Sequence, residues 1–204
     1  MEKPGTGSPL ADYEAHMSLE NVAQLQAMDA LMERQFRLGA AETALVFGVA
    51  GGNGVRRGKG LKRIYGIDIN PEYLTACRKR LADLGERFVP LLMDVTDPNC
   101  VLPEAELVIA NLFVEYVGYR AFTQALEKVS PQWVSVGIQQ NEGPSFVCDS
   151  PYLHVFDRLE KVHVQMEEGP LTEALEAAGF HLTGRSRIPL PQGKALLGLN
   201  YEHI

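Results

Sequence analysis

Apolar and polar residues change their spacing several times along the chain, and each change predicts a new element. Between residues 18 and 38, apolar side chains recur every three or four positions, which predicts one helix with Ser18 as its N-cap. Five short apolar runs then predict buried strands over residues 44–49, 64–69, 88–93, 107–110 and 133–138. Helices are predicted over 70–84, opened by Asn70-Pro71, and over 119–129.

The strands are continuous apolar runs that alternate with helices, a pattern typical of a parallel sheet covered on both faces. The end of the chain differs from this pattern. A helix predicted over residues 171–178 is followed by two β-like runs, 180–188 and 195–201, and no helix fits between these runs. We therefore expect the last two strands to pair antiparallel.

The length of 204 residues, with 46% hydrophobic and 22% charged residues, fits one globular domain. We expect residues 1–40 to form a tail and a helical arm that packs on the core, and residues 41–204 to form the domain itself. The formal charge of −7 argues against non-specific binding to nucleic acid or anionic membranes, so neither is an expected partner. The sequence does not indicate an oligomeric state.

Targeting and redox signals point to the cytoplasm. No apolar run is long enough to span a membrane, and the first ten residues lack the apolar core of a signal peptide. The three cysteines are widely spaced and form no CxxC pair, which argues against a disulfide framework. No grouping of His, Asp and Glu has the spacing of metal ligands, so no metal is predicted.

A glycine-rich loop, residues 48–54, directly follows the first predicted strand. Glycines allow a tight turn and let a ligand touch the backbone, although such a loop can also be only a turn. The second strand ends at Asp68, 20 residues after Gly48, where a carboxylate can accept hydrogen bonds from two ribose hydroxyls. Asp68 could instead cap a helix or face solvent. Together, the loop and Asp68 favour an adenosine-containing ligand.

Two features bear on which adenosine ligand binds. The segment after the loop, residues 55–61, is short and interrupted by two glycines, so it is a poor helix N-terminus for a pyrophosphate. The third strand ends at Asp94, a second acid suited to accept from an adenine amino group. An NAD-type oxidoreductase on a similar sheet is therefore the weaker hypothesis, and the residues alone leave it open.

From about Ala44 to the C-terminus, these features resemble the class I S-adenosylmethionine-dependent methyltransferases. The resemblance implies an α/β, Rossmann-like three-layer sandwich whose mostly parallel seven-stranded sheet has the order 3-2-1-4-5-7-6 and a C-terminal antiparallel hairpin. It implies S-adenosylmethionine as the cofactor and direct methyl displacement. The composition of residues 139–169, which mixes aromatic and acidic side chains, favours a small-molecule acceptor. A non-catalytic module that only holds S-adenosylmethionine is a further alternative, because Gly48 stands where the family loop has an acid.

The resemblance also implies the residues that bind the cofactor. Gly52 and Gly54 match glycines of the family loop, whereas Ala50 replaces one. Tyr13 lies in the N-terminal arm, which could pack over the loop with an aromatic ring near the sulfonium or could only cover the sheet edge. The complete predicted set is Gly48, Val49, Ala50, Gly52, Gly54, Asp68, Ile69, Asp94, Val95, Asn111 and Tyr13.

Catalytic residues are less well defined. A direct displacement mainly needs an aligned acceptor, and a base is needed only if the acceptor must lose a proton. The candidates are Glu115, Tyr116 and His154, and each could instead be a packed or solvated side chain without a catalytic role. The resemblance implies that residues 139–169, which include His154, form an insertion that covers the acceptor.

Overall fold

The computed structural model describes residues 9–141 and 166–204. Its strands are β1 Thr43–Phe47, β2 Arg63–Asp68, β3 Phe88–Leu92, β4 Leu107–Asn111, β5 Trp133–Asn141, β6 Phe180–Leu190 and β7 Lys194–His203. They form one sheet in the order β3-β2-β1-β4-β5-β7-β6. The first five strands pair in parallel, and β7 lies antiparallel between β5 and β6. The predicted fold class, strand order and terminal antiparallel pairing are confirmed.

Helices cover both faces of the sheet. They are α1 Leu10–Ser18, α2 Gln24–Gln35, α3 Pro71–Arg80, α4 Val114–Val129 and α5 Glu168–Ala177. Because neighbouring side chains of a strand point to opposite faces, β1 contributes to two apolar clusters. Leu45 and Phe47 pack with residues of α4 and α5, whereas Ala44 and Val46 pack with residues of α2 and α3. The described helices lack the length and hydrophobicity that a bilayer span requires.

The start of α3 matches the sequence prediction. The side-chain oxygen of Asn70 accepts hydrogen bonds from the backbone N–H groups of Glu72 (2.9 Å) and Tyr73 (3.3 Å), and Pro71 is the first helical residue. Such a cap satisfies N–H groups that have no partner within the helix. The cap therefore fixes the path of the chain just after Asp68.

The N-terminal arm differs from the single helix that was predicted there. Helix α1 ends at Ser18, and α2 begins only at Gln24. The Ser18 hydroxyl donates to the carbonyl of Ala15 (3.0 Å), so Ser18 is not an N-cap. Ala23 has a left-handed φ of 51°, which interrupts the helical backbone. The apolar spacing could not reveal this break because Val22, which is buried in the turn, continues the helical period.

Helix α4 begins five residues earlier than the predicted start at Tyr119. Gly118 has non-helical backbone angles (φ 76°, ψ 165°) and separates the first turn from the rest of the helix. Glycine tolerates this conformation because it has no Cβ. The kink holds Glu115 and Tyr116 in a separate first turn, directly after β4.

Candidate functional site

A cavity of about 380 Å³ lies at the carboxyl ends of β1, β2, β3 and β4, and residues of α1 and α2 also line it. The order of the strands reverses between β1 and β4. Open α/β sheets bind ligands at such a point because the loops from adjacent strands lead to opposite faces. Small-molecule sites have volumes of roughly 300–1,000 Å³. Position and size therefore make this cavity the candidate site.

Nine of the eleven residues predicted to bind a cofactor line the cavity: Tyr13, Gly48, Val49, Ala50, Asp68, Ile69, Asp94, Val95 and Asn111. Gly52 and Gly54 do not. A Cβ atom at Gly52 would lie 2.7 Å from the Sγ of Cys77 in α3, and one at Gly54 would lie 2.6 Å from the Sδ of Met32 in α2. These two glycines let the helices approach the loop closely.

Asp68 joins the end of β2 to the glycine-rich loop. Its Oδ2 accepts the backbone N–H of Ala50, and its Oδ1 accepts that of Asn70, both at 2.9 Å. Burial raises the pKa of Asp68, although hydrogen bonds from the backbone oppose the shift. A carboxylate oxygen can accept more than one hydrogen bond, so Asp68 can hold the loop and also bind the hydroxyl groups of a ligand.

Asp94 occupies the corresponding place after β3. Its Oδ1 accepts hydrogen bonds from the backbone N–H (2.9 Å) and the hydroxyl (2.7 Å) of Thr96. These bonds orient the carboxyl group at the wall of the cavity, next to buried Val95. Acidic groups therefore stand at the carboxyl ends of two adjacent strands.

Asn111 lines the cavity, but its amide group is held by α2. The Nε2 of Gln35 donates to the Oδ1 of Asn111, and the Nδ2 of Asn111 donates to the Oε1 of Gln35, both at 2.8 Å. Gln35 is fully buried. This reciprocal pair ties β4 to α2, and sequence analysis missed Gln35 because it lies on the buried face of an ordinary amphipathic helix.

We expect Gln35→Leu and Asn111→Leu each to lower the free energy of unfolding by about 1–3 kcal/mol, because each leaves one amide without its partner. The double variant should lose less free energy of unfolding than the sum of the two single losses, because it leaves no unpaired amide. Urea unfolding followed by circular dichroism measures all three values. Costs that simply add would show that the two amides do not stabilise each other.

Helix α1 lies over the glycine-rich loop. The Arg80 guanidinium donates to both carboxylate oxygens of Glu14 (2.6 and 2.7 Å) and so joins α3 to α1. A Cβ atom at Gly51 would overlap this Glu14 carboxylate, so the loop approaches the ion pair closely. Tyr13 and His16 of α1 line the cavity below. The arm therefore forms part of the site wall and does more than cover a sheet edge.

Glu115 is an acid enclosed by protein. The residue lines the cavity and is only 3% exposed, and its Oε2 has no hydrogen-bond partner among the described residues. Burial raises the pKa of Glu115 to about 8, although a hydrogen bond from its own backbone opposes the shift. Burial, with a smaller contribution from Glu115, also raises the pKa of Tyr13 and of Tyr116, so both hydroxyls remain neutral.

The cavity extends towards β5 and β7 through a second polar group that sequence analysis missed. The Nε2 of Gln24 donates to the Oε1 of Gln139 (2.7 Å), and the Nε2 of Gln139 donates to Asn141 (2.8 Å). Lys194, at the start of β7, is also buried here. Burial, with Lys194 as the smaller cause, lowers the pKa of His16. The feature of the sequence that could have indicated Lys194 is its position directly before the apolar run of the last predicted strand.

The predicted insertion at 139–169 is described only at its ends. Residues 139–141 complete β5, and residues 168–169 begin α5. Residues 142–165, including the candidate His154, lie outside the described residues. The prediction that this insertion covers a methyl acceptor stays a prediction.

No protein-family model and no curated protein matches the chain. Solved structures share its architecture. A magnesium protoporphyrin IX methyltransferase from Synechocystis PCC 6803, with bound S-adenosylhomocysteine, is 10% identical, and the match covers 95% of this chain and 86% of that one (TM-score 0.64). A 1,6-didemethyltoxoflavin-N1-methyltransferase from Burkholderia thailandensis, with bound 1,6-didemethyltoxoflavin and S-adenosylhomocysteine, is 16% identical over 95% and 87% (TM-score 0.63).

A third structure, from Pyrococcus horikoshii and provisionally described as an RNA methyltransferase, is 14% identical over 100% of this chain and 94% of that one (TM-score 0.59). The chain has the class I S-adenosylmethionine-dependent methyltransferase fold. The substrates named for these class I structures differ widely. The similarity therefore shows the fold of this chain and does not identify a substrate.

Proposed function

We propose that this protein is an S-adenosylmethionine-dependent methyltransferase that transfers a methyl group to a small-molecule acceptor. The observation that carries the proposal is the position of Asp68, which holds the glycine-rich loop across a cavity at the switch point of the sheet. A carboxylate there can accept from both ribose hydroxyls of an adenosine. Asp94, after the neighbouring strand, is suited to accept from the adenine amino group.

The remaining lining fits the rest of this cofactor. The backbone of Gly48, Val49 and Ala50 lies between the ends of β2 and β4, where the methionine part would bind. S-adenosylmethionine supplies a methyl group already activated on a sulfonium, so the chain must mainly orient the acceptor. The neutral ring of Tyr13 lines the same cavity and can attract a sulfonium through its π face.

The polar group beside β5 and β7 supports an enclosed acceptor site. Gln24, Gln139 and Lys194 are all buried cavity-lining residues. Gln139 in β5 and Lys194 in β7 lie on strands far from β3 and Asp94, and Gln24 donates to Gln139. Buried amide groups orient a ligand through hydrogen bonds, while the apolar side chains around them exclude water. We propose that the acceptor binds here, next to the end of β4.

A cluster of basic residues follows the glycine-rich loop, and its arginines do not favour a nucleic-acid acceptor. The cluster consists of Arg56, Arg57, Lys59, Lys62 and Arg63. Arg57 pairs with Asp29 in α2, and Arg56 pairs with Asp83. Neither arginine lines the cavity. Cations that guide a polynucleotide should form a continuous path to the reactive site, and these arginines are instead held by surface acids.

The segment after the loop also separates this proposal from an NAD-type oxidoreductase. It forms only a four-residue 3-10 helix, Val55–Gly58, so no long helix begins at the loop. A dinucleotide site places its pyrophosphate at the N-terminus of such a helix. The antiparallel hairpin of β6 and β7 also favours a methyltransferase over an NAD-type oxidoreductase, because it is a feature of the class I methyltransferase fold.

Two measurements test the proposed function. Calorimetric titration of the purified protein should show binding of S-adenosylmethionine and S-adenosylhomocysteine but not of NAD. Incubation with methyl-labelled cofactor and a fractionated metabolite extract should then label a small molecule. Binding of NAD alone would support the oxidoreductase, whereas cofactor binding without any labelled product would support a non-catalytic module.

A further inference from the structure

Glu115 is a buried acid that the proposed contacts to ribose and adenine do not use. Within residues 9–141 and 166–204, its Oε2 is the one buried side-chain oxygen or nitrogen without a hydrogen-bond partner. Leaving such a group unpaired costs free energy, so an unpaired oxygen in a residue that lines a cavity points to a donor supplied by a ligand.

The other acids that line the cavity already have partners. Both oxygens of Glu14 accept from Arg80, and both oxygens of Asp68 accept backbone N–H groups. Asp94 accepts from Thr96. Among the described residues, Glu115 is therefore the cavity-lining acid with a buried oxygen that still lacks a hydrogen-bond donor.

The chain supplies no described counter-ion for Glu115. The basic residues in the cavity lining are His16 and Lys194. Neither contributes to the pKa of Glu115, whereas Lys194 does lower that of His16. The groups that sense the Glu115 charge are the hydroxyls of Tyr13, on α1, and Tyr116, on its own helix. Among the residues that the structure describes, none places a cation beside Glu115, and a bound ligand can supply one.

The order of the strands places Glu115 at the opposite end of a bound adenosine ligand from the ribose site at Asp68. Asp68 ends β2, Gly48 follows β1, and Glu115 follows β4, so the three lie along the sheet in that order. Tyr13 is close enough to both Asp68 and Glu115 for each to raise its pKa. A ligand whose ribose binds Asp68 and which crosses the loop at Gly48 presents its far end to Glu115.

We infer that Glu115 accepts a hydrogen bond from the α-ammonium group of the methionine part of S-adenosylmethionine. The inference rests on the proposed function. The glycine-rich loop carries no acid between residues 48 and 54, so Glu115, from the first turn of α4, supplies the negative charge on this side of the cavity. An ion pair of this kind is a charge-assisted hydrogen bond, the stronger class in proteins.

A contact between Glu115 and an ammonium group should make ligand binding release a proton. With its pKa near 8, Glu115 is mostly protonated at pH 7 when the site holds no cation. An adjacent ammonium favours the carboxylate and lowers that pKa. Binding should therefore release most of one proton to the buffer, a signal that a merely structural carboxyl would not give.

The experiment is calorimetry at pH 7 in two buffers of different ionisation enthalpy. The ligands are S-adenosylhomocysteine and its deaminated analogue, which keeps the carboxylate but lacks the amino group. The proteins are wild type, Glu115→Gln and Glu127→Gln, a matched change at an exposed position of the same helix. The Gln side chain preserves the size of the buried group, and circular dichroism checks that each variant folds.

We expect wild type and Glu127→Gln to release most of a proton with S-adenosylhomocysteine and to bind it at least about tenfold more tightly than the deaminated analogue. Glu115→Gln should bind S-adenosylhomocysteine about tenfold more weakly, release no proton, and bind the analogue within about twofold of wild type. Wild-type binding without proton release, or an unchanged affinity in Glu115→Gln, would overturn the inference alone. Failure of wild type to bind either ligand would overturn the proposed function as well.

Discussion

Asp68→Ala will weaken the binding of S-adenosylmethionine by about 1–3 kcal/mol, which is roughly a 5- to 150-fold rise in Kd. The substitution removes the acceptor proposed for the ribose hydroxyls. It also removes the acceptor for the backbone N–H groups of Ala50 and Asn70, so the glycine-rich loop loses its connection to β2. Both losses reduce contacts to the cofactor. We therefore expect no other single substitution in the cavity to weaken cofactor binding more.

Asp68→Asn is the matched control for this prediction. Asn keeps one side-chain oxygen, so it can still accept one backbone N–H, and its affinity should lie between those of wild type and Asp68→Ala. Calorimetry measures the affinities, and circular dichroism establishes that the variants are folded. Wild-type affinity in a folded Asp68→Ala protein would remove the main support for the cofactor assignment.

Gly52→Ala will lower the free energy of unfolding by about 2–4 kcal/mol. Gly52 has φ +83°, a conformation that costs a residue with a Cβ roughly 1–3 kcal/mol. The new methyl group would also lie 2.7 Å from the Sγ of Cys77 and 3.1 Å from Leu81, and overpacking of this kind costs roughly 1–3 kcal/mol. Both neighbours are buried, so they have little room to move.

Gly60→Ala is the control in the same region. Its backbone is not left-handed, and a Cβ there would meet no described atom within 4 Å, so its stability should stay within about 0.5 kcal/mol of wild type. Urea unfolding measures both variants. If Gly52→Ala proves as stable as Gly60→Ala, the close packing of the loop on α3 is wrong. The affinity of folded Gly52→Ala for S-adenosylhomocysteine should change little, because Gly52 does not line the cavity.

Local signals in the sequence were sufficient for the framework. Continuous apolar runs indicated buried parallel strands because such strands are covered on both faces. The absence of a helical segment between the last two runs indicated the antiparallel pairing of β6 and β7. Asn70-Pro71 marked the start of α3 because the cap involves residues only two and three positions apart. Features of this kind depend on neighbours in sequence.

The glycine-rich loop shows how far such signals reach. Its composition predicted a tight turn beside a ligand, and Gly48 and Ala50 do line the cavity. The same composition could not separate these residues from Gly52 and Gly54, which instead face α3 and α2. A missing Cβ serves close approach of a ligand and close approach of a helix equally well, so only the packed structure distinguishes the two uses.

The class of sheet and the acids at the carboxyl ends of β2 and β3 could therefore be predicted from sequence, whereas strand ends such as that of β5 differ by up to three residues from the predicted ones. Which polar groups are paired depends on the packed fold. Gln35 and Asn111 are 76 residues apart, and Gln24 and Gln139 are 115 apart, yet each pair shares a buried hydrogen bond. Glu115 looks like an ordinary helix-start acid in the sequence, but it is enclosed and lacks a partner for Oε2 among the described residues. Desolvation and hydrogen bonding depend on which distant segments meet, and no local spacing encodes that.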